Sequence, residues 1–389
     1  MRAGWEVKKL GDVCGFDKFQ AIHKNLPYVG LENIESNTAS FLGSLDSQSV
    51  KSATFRFTCN HILYGRLRPY LNKVLAPEFE GHCSTEIFPI KPNTSLLREY
   101  LLYWFLREQT VEQINATCTG ARMPRADMSA VLNFDFLLPP FAEQQRIVAI
   151  LDQAFEGIAK ARTNAEQNLQ NARALFESHL QSVFTQCGEG WIQNKLAAFT
   201  ITISTGPFGS LLHKSDYVSE GVPLVNPINI VNNSIIPNES KQINVATKAR
   251  LQSYVLKESD IVIGRRGEIG RCAVVSEKES GWICGTGCFF IRPLPTTNPH
   301  FLANLIRSGN YREKLEQASS GATMLNLSNK ALCDLEIAMP SFEEQKNILQ
   351  KLDALSKETK RLEALYQRKI ECLDELKKSL LQQAFAGEL

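Results

Sequence analysis

The chain lacks the sequence features of a membrane protein, a metal-binding protein and a nucleotide hydrolase. No apolar run approaches the roughly 20 residues that cross a bilayer, and the opening MRAGWEVKKLGDV has no apolar segment of signal length. The ten cysteines form no C-x-x-C motif, the six histidines share no metal-ligand spacing, and no G-x-x-x-x-G-K-[ST] occurs. We therefore expect a cytoplasmic protein with reduced cysteines, no bound metal and no membrane contact.

A strong excess of charge of one sign is also missing. The 43 lysines and arginines nearly balance the 41 aspartates and glutamates, which leaves a net charge of +2 at pH 7. This balance does not by itself indicate a nucleic-acid partner, although it leaves room for local basic surfaces. At 389 residues the chain is long enough for two or three domains.

What the chain does contain is an internal repeat. Residues 120–151 read GARMPRADMSAVLNFDFLLPPFAEQQRIVAIL, and residues 321–352 read GATMLNLSNKALCDLEIAMPSFEEQKNILQKL, without a gap at a separation of 201 positions. Upstream the separation drifts, from 186 between WEVKKL and WIQNKL to 199 between HILYGR and DIVIGR. A period of this length repeats a whole domain. We therefore infer two variable modules, each followed by a constant connector.

Each module has the pattern of a mixed α/β domain. Short apolar runs such as HILYG, EIFPI and FDFLL predict strands, and we interpret strand aromatics such as Phe88, Phe289 and Phe290 as core residues. Apolar residues at helical spacing predict one helix over 96–114 and another over 299–317. A long helix with acidic residues in its first turn follows each module. The predicted fold is α+β, with modules at 1–141 and 188–341 and long helices at 142–187 and 342–389.

The apolar stripe of each long helix requires a partner. The stripe of the first helix begins with Ile147, Leu151 and Ala154, and that of the second includes Leu376 and Leu380. We expect the helices to form an intramolecular antiparallel coiled coil, because a pseudo-twofold internal repeat makes such a pair antiparallel. Pairing only with another chain is the alternative.

Several short motifs stand at corresponding places in the two halves. They include the W-x-x-x-K-L openings and the helix starts LLPPFAEQQ and AMPSFEEQ, with ILYGRLRPYLNK in the first module. Together they resemble the specificity subunit of type I DNA restriction-modification systems, and the resemblance covers essentially the whole chain. It implies that each module is a target recognition domain that reads one half of a split, asymmetric sequence in double-stranded DNA. It also implies that the coiled coil sets the spacer between the halves.

The resemblance further implies partners. Two modification subunits, which bring S-adenosylmethionine, and restriction subunits, which cleave DNA, assemble with such a chain. The chain itself is then expected to bind no cofactor and to have no catalytic site. The residues agree, because an adenine methyltransferase needs an Asn or Asp before Pro-Pro-Phe/Tyr, and the nearest string, Leu138-Pro-Pro-Phe141, has a leucine there.

Candidate DNA contacts in the first module lie in two segments. The segment RLRPYLNK follows the strand-like HILYG and combines cations with an aromatic ring, which suits phosphate and base-edge contact. The loop TGARMPR adds two arginines suited to phosphate or guanine. The alternatives are a solvated strand edge with ordinary ion pairs and a helix-capping glycine with incidental polar neighbours. The predicted contacts are Arg66, Arg68, Tyr70, Asn72, Lys73, Arg122 and Arg125.

The second module offers counterparts that differ in detail. RRGEIGR places Arg265 opposite Arg66, but Gly267 faces Arg68 and the Pro-Tyr pair is missing. SGATMLN contributes an asparagine suited to adenine, and STGPFGS resembles the glycine-rich loop that often opens recognition domains of the family. The predicted contacts are Ser210, Lys214, Arg265, Arg266, Arg271, Thr323 and Asn326.

Three functions remain open from the sequence. The leading one is a DNA reader that directs a methyltransferase and a nuclease to a target. The second is a reader for a modification-only complex without a nuclease, and the third is a coiled-coil scaffold without DNA readout. The arginine that follows a strand in both modules favours the readers over the scaffold.

Overall fold

The computed structural model describes residues 4–120, 122–208, 211–237, 241–320 and 325–389. The chain folds into two compact units that are not simple sequence halves. The first unit consists of Met1–Glu166 and Gln367–Leu389, and the second is Gln167–Tyr366. Each unit therefore contains one module together with a part of both long helices.

The first module contains two four-stranded sheets and a two-stranded ribbon. The sheet orders are β2-β9-β6-β7 and β3-β5-β8-β4, and the ribbon pairs β1 with β10. The strands are β1 (Glu6–Lys9), β2 (Cys14–Phe16), β3 (Gln20–Ala21), β4 (Tyr28–Val29), β5 (Thr54–Phe57), β6 (Ile62–Gly65), β7 (Val74–Leu75), β8 (Gly81–Cys83), β9 (Ile87–Pro92) and β10 (Asp135–Leu138). The helices are α1 (Leu10–Val13), α2 (Arg98–Leu106), α3 (Glu108–Ala116), α4 (Met128–Val131) and the long α5 (Phe141–Gln186).

The second module repeats this plan. Its sheet orders are β12-β21-β18-β19 and β13-β17-β14-β20, with ribbons β11-β22 and β15-β16. The strands are β11 (Ile192–Lys195), β12 (Thr200–Thr205), β13 (Tyr217–Val218), β14 (Val222–Val225), β15 (Ile230–Val231), β16 (Ser234–Ile235), β17 (Gln242–Ile243), β18 (Ile261–Gly264), β19 (Cys272–Val274), β20 (Ile283–Cys284), β21 (Cys288–Pro293) and β22 (Glu336–Met339). The helices are α6 (Val245–Arg250), α7 (Pro299–Arg307), α8 (Gly309–Gln317), α9 (Asn329–Cys333) and the long α10 (Phe342–Ala386).

The drift of the repeat has a structural counterpart. The sheet β2-β9-β6-β7 matches β12-β21-β18-β19 strand for strand. In the other sheet the parallel pairs β4–β8 and β14–β20 correspond, but β5 pairs with β8 whereas β17 pairs with β14. The modules thus share the strand order of one sheet and differ in the strand pairing of the other. This second sheet lies in the region where insertions accumulate.

The single helices predicted over 96–114 and 299–317 are each two helices. Arg107 separates α2 from α3, and Ser308 separates α7 from α8. Both residues have extended backbone conformations, with ψ of 134° and 146°. No proline or glycine stands beside Arg107, so the apolar spacing continues through that break and hides it, whereas Gly309 directly follows Ser308.

The W-x-x-x-K-L motif closes each module. Its residues form β1 and β11, which pair antiparallel with the last strands β10 and β22. Lys9 bonds Asp135 at 2.6 Å, and Lys195 bonds Asp334 at 2.7 Å. These ion pairs are exposed and contribute little to stability. The following leucines, Leu10 and Leu196, are buried and carry the larger hydrophobic contribution.

A buried glutamine joins each module to its long helix. The Gln144 amide nitrogen donates to the carbonyls of Ser95 and Pro139, both at 2.9 Å, and its oxygen accepts from the Leu97 N–H at 2.7 Å. Gln345 repeats this pattern with the Thr296 and Pro340 carbonyls and the Asn298 N–H. The Glu-Gln pair shared by the helix starts LLPPFAEQQ and AMPSFEEQ is thereby explained, because its buried glutamine satisfies three backbone groups at the junction.

The two long helices pack together antiparallel, as predicted, within each compact unit. In the first unit Arg162 of α5 bonds Asp374 of α10, and Lys377 Nζ lies 5.1 Å from the centre of the Phe155 ring. In the second unit Arg173 of α5 lies 3.4 Å from Glu363 of α10. No helix in the described part of the chain is both long enough and apolar enough to cross a membrane.

The predicted apolar stripe is wrong at one position. Leu376 is 47% exposed, whereas Leu381, Ala384 and Phe385 near the end of α10 are buried. Phe385 lies against Tyr100 of the first module, with ring centres 4.7 Å apart. The end of α10 thus packs against the globular part of a module, so the coiled-coil spacing does not extend through it.

Replacing Gln144 with leucine should destabilise the first unit by about 3 kcal/mol, because the buried Pro139 carbonyl and two partly buried backbone groups lose their partners. The matched control is Gln145→Leu, since Gln145 is the exposed neighbour on the same helix. Amide hydrogen exchange read by mass spectrometry measures the opening free energy of each unit separately. Equal protection of the first unit in both variants would show that the buried amide does not stabilise this junction.

Candidate nucleic-acid interface

The predicted DNA contacts of the first module come from two chain segments that the structure joins. The Arg68 N–H donates to the Pro124 carbonyl at 2.7 Å, and the Ala126 N–H donates to the Arg66 carbonyl at 2.9 Å. We call residues 65–73 and 119–126 the first loop pair. Two candidate patches that looked independent in the sequence therefore form one surface, held by backbone hydrogen bonds.

The second module builds a corresponding surface. The Leu327 N–H donates to the Arg265 carbonyl at 2.9 Å, and Asn326 exchanges backbone hydrogen bonds with Ser320 at 2.8 and 3.2 Å. We call residues 264–271 with residues 319–327 the second loop pair, of which 321–324 are not described. Arg66 and Arg265 occupy equivalent places. The Arg66 N–H donates to the carbonyl of Glu86, just before β9, and the Arg265 N–H donates to that of Gly287, just before the equivalent strand β21.

Left-handed backbone conformations shape both loop pairs. In the first, Arg68 has φ of 52° and Asn72 has φ of 42°. In the second, Gly267 and Gly270 have φ of 76° and 85°. The loops thus keep similar backbone conformations although arginine and asparagine replace glycine, and such conformations cost most non-glycine residues about 1 kcal/mol.

A glutamate that the sequence analysis did not select lies at the centre of the first loop pair. The Glu86 carboxylate accepts from Arg66 Nε at 2.9 Å and from Arg125 Nε at 3.0 Å, and Arg125 Nη2 lies 2.9 Å away. Burial alone would raise the pKa of Glu86, but the hydrogen bonds and charges of Arg125 and Arg66 lower that pKa overall. Glu86 is therefore a carboxylate that holds two arginines in place.

Other predicted residues of the first loop pair remain available. Arg68 and Arg122 are exposed, and their side chains make no hydrogen bond or ion pair with the described residues. Tyr70 is 51% exposed. The Arg66 guanidinium lies 5.2 Å from the centre of the Phe88 ring, and Phe88 is a core residue, as predicted. A basic, partly aromatic surface of this composition suits a phosphate backbone or base edges.

Two predicted contacts have internal partners instead. Asn72 is fully buried, and its amide nitrogen donates to the Phe105 carbonyl at 3.1 Å. Lys73 Nζ donates to the carbonyls of Leu31 and Ile34, both at 2.7 Å. The sequence pattern of alternating polar residues cannot separate these inward side chains from outward ones. We leave both residues out of the proposed interface.

In the second loop pair the equivalent arginine, Arg265, has a different environment from Arg66. Arg265 is only 8% exposed, and its guanidinium lies 4.8 and 5.5 Å from the ring centres of Phe208 and Phe289. Its Nε donates to the side-chain oxygen of Asn326 at 3.3 Å, and its Nη1 has no partner within the described residues. Burial and the neighbouring Arg266 lower the pKa of Arg265. A buried donor without a partner is costly unless a ligand satisfies it.

The remaining predicted residues of the second module are distributed unevenly. Arg266 and Lys214 are exposed, and their side chains have no partner within the described residues. Arg271 bonds Glu268 at 3.0 Å. Ser210 and Thr323 lie outside the described residues. Phe208, which the sequence analysis named only as part of a glycine-rich loop, is 43% exposed beside Arg265 and joins the candidate interface.

The described residues include no group of three or more histidine, cysteine, aspartate or glutamate side chains arranged to hold a metal ion. The family model for the type I restriction modification DNA specificity domain matches this chain twice, over residues 2–168 and 208–371. The chain belongs to this family of type I specificity proteins. Each match covers most of one module and part of the long helix that follows it, so the internal repeat contains two copies of the family's domain.

Curated relatives carry the name of specificity subunits, the non-catalytic class that the sequence analysis expected. The chain is 27% identical over 184 residues to the type I restriction enzyme EcoDI specificity subunit of Escherichia coli. That alignment covers 47% of this chain and 40% of the relative. The alignment with the type I restriction enzyme StySPI specificity subunit of Salmonella potsdam, at 25% identity, covers 52% of this chain and 44% of that relative. The chain thus spans less than half the length of these two relatives. Against the protein named as the MjaX specificity subunit of Methanocaldococcus jannaschii, identity is 24%, with 99% of this chain and 93% of the relative covered.

Solved structures share the fold of this family member. A chain from work on complex assembly and conformational transition of the type I restriction-modification system has a TM-score of 0.79 at 22% identity, and the match covers 100% of this chain and 99% of that one. The HsdS subunit from Thermoanaerobacter tengcongensis has a TM-score of 0.68 at 21% identity, with 100% and 98% covered. These matches establish the architecture of two modules and two long helices.

Asn72→Ala should lower stability by about 1 to 3 kcal/mol, because it removes a buried hydrogen bond and places alanine in a left-handed conformation. Arg68→Ala, in the same loop and also left-handed but exposed, is the matched control and should leave stability nearly unchanged. Urea denaturation measures both. If Asn72→Ala kept wild-type stability while duplex binding weakened, Asn72 would belong to the interface after all.

Proposed function

We propose that the chain is the sequence-specific DNA-binding subunit of a type I restriction-modification complex. Each loop pair reads one half-site of a split target in double-stranded DNA, and the two half-sites differ. One observation carries the proposal: the two loop pairs have equivalent backbone hydrogen bonds but different side chains at equivalent positions. Arg66, Glu86 and Arg125 stand in the first where Arg265, Gly287 and Asn326 stand in the second.

The chemistry of these side chains suits duplex DNA. Exposed cations such as Arg122, Arg266 and Lys214 are suited to phosphate, which positions a protein on DNA without reading sequence. Arginine also donates two parallel hydrogen bonds to guanine, and asparagine does the same to adenine. Arg66, Arg265 and Asn326 are therefore the candidates for reading base edges.

The proposal extends to assembly. The antiparallel long helices set the unread spacer between the half-sites and dock two modification subunits. Those subunits bring S-adenosylmethionine and perform methylation, and restriction subunits join them for cleavage. In this arrangement the chain binds no cofactor, performs no chemistry and acts in the cytoplasm, where the DNA is.

The proposed function is tested by the methylome of cells that express the chain with its modification subunits in a host without other adenine methylation. We expect methylated adenines in one split, asymmetric motif, and the same motif should survive omission of the restriction subunit. A methylome without any split motif, from cells in which the complex is assembled, would refute the proposal.

Replacing Arg122 with alanine should weaken duplex binding and lower the salt slope by about 1, because one phosphate contact is lost. Any change in the methylated motif should be confined to one half-site. Lys51→Ala, an exposed cation of the first module outside the loop pair, is the control of equal charge change. Fluorescence anisotropy at several salt concentrations measures both variants. Equal losses in the two variants would argue against a contact at Arg122.

A further inference from the structure

The equivalent arginines of the two loop pairs, Arg66 and Arg265, have side-chain partners of different charge. In the first, the Glu86 carboxylate accepts hydrogen bonds from Nε of Arg66 at 2.9 Å and from Nε of Arg125 at 3.0 Å. In the second, Gly287 stands in place of Glu86, and Arg265 donates to the neutral amide oxygen of Asn326 at 3.3 Å. Arg66 and Arg125 thus share one negative charge, whereas the side-chain acceptor of Arg265 is neutral.

The position of the Glu86 contact determines what Arg66 still offers. Because the carboxylate takes the Nε–H of Arg66, both Nη groups stay free of it. The Nη groups supply the paired donors that bond the O6 and N7 atoms of guanine. An arginine already held in one rotamer also loses less conformational entropy when it binds. The contact therefore prepares Arg66 for a base edge.

The same carboxylate disfavours binding to phosphate alone. It removes one positive charge from a cluster of two arginines, and it repels any phosphate that approaches them. DNA of the wrong sequence is held mainly by phosphate contacts. A negative group placed beside the reading arginines therefore weakens non-specific complexes more than specific ones, which raises discrimination.

We propose that Glu86 is a specificity-determining residue of the first module, which positions Arg66 toward a base edge, holds Arg125 beside it and suppresses binding to unrelated sequences. This inference rests on the proposed function. Among the described residues of the second module no acid bonds Arg265, and we expect reading there to depend on Arg265, on its Nη1 donor and on Asn326.

The difference between the modules is built into their packing. A Cβ atom at Gly287 would lie 2.8 Å from Cδ of Pro227, so a glutamate cannot be introduced there without displacing the proline. Asn326→Asp offers the corresponding change, since it places a carboxylate beside Arg265 without a change in shape. Glu86→Gln is its counterpart in the first module, because it removes the charge and keeps the size.

The experiment uses the chain in complex with its modification subunits. The probes are a fluorescent duplex carrying the wild-type methylome motif, duplexes changed at single base pairs of each half-site, and a scrambled duplex. Glu86→Gln should bind the scrambled duplex several-fold more tightly, with a salt slope steeper by about 1. Its discrimination at one first-half-site base pair should fall by about fivefold or more. The second half-site should be read as in the wild type.

Two further variants separate charge from geometry. Glu86→Asp keeps the charge but shortens the side chain, so it should leave binding to the scrambled duplex unchanged and still reduce discrimination in the first half-site. Asn326→Asp should weaken binding to the scrambled duplex and alter the second half-site only. The control is Glu80→Gln, which removes an exposed acid paired with Arg56 at 3.3 Å in the same module and should change neither property.

The outcomes distinguish this inference from the proposed function. A wild-type complex without a split motif would refute the proposed function itself. If the wild type reads a split motif and Glu86→Gln behaves like Glu80→Gln, the role of Glu86 is refuted and the function stands. Intact reading of the second half-site shows that the variant complex is folded, so a loss confined to the first half-site supports the role of Glu86.

Discussion

One buried glutamine per module fixes the point at which the globular fold ends and the long helix begins. An amide donates and accepts at once, so the buried Gln144 satisfies two carbonyls and one N–H at the junction. A glutamate there would set a negative charge against two carbonyl oxygens, and a leucine would satisfy none of the three groups. The start of α5, and with it the path of the connector, depends on this contact, as α10 depends on Gln345.

The connectors in turn complete the modules. Phe385 at the end of α10 packs on Tyr100 in the first unit, and Phe184 at the end of α5 packs on Phe301 in the second, with ring centres 4.7 and 5.3 Å apart. Each module core therefore includes a segment that follows the other copy of the repeat. The constant part of the repeat supplies the spacer and also closes the cores on which the variable loops stand.

The internal repeat made the architecture predictable from the sequence, whereas the side-chain arrangement of the site became visible only in the structure. The long helices and the arginine after a strand appear twice in the sequence, and their spacing indicates their place. The break at Arg107 leaves no local signal, because no proline or glycine stands beside it, whereas the break at Ser308 has a signal in Gly309 that the continuous apolar spacing outweighed. Glu86 was missed because its partners lie 20 and 39 positions away along the chain. The buried position of Asn72 could not be foreseen, because composition does not show which way a loop side chain points.

The division into compact units has a consequence for biosynthesis. The second unit is one continuous stretch, Gln167–Tyr366, whereas the first needs Gln367–Leu389 as well. During translation the first module leaves the ribosome early, yet the apolar surface around Tyr100 stays uncovered until Phe385 has been made. The module that is synthesised first thus completes its core last. Its apolar surface stays exposed on the nascent chain for as long as the ribosome takes to make the whole second unit.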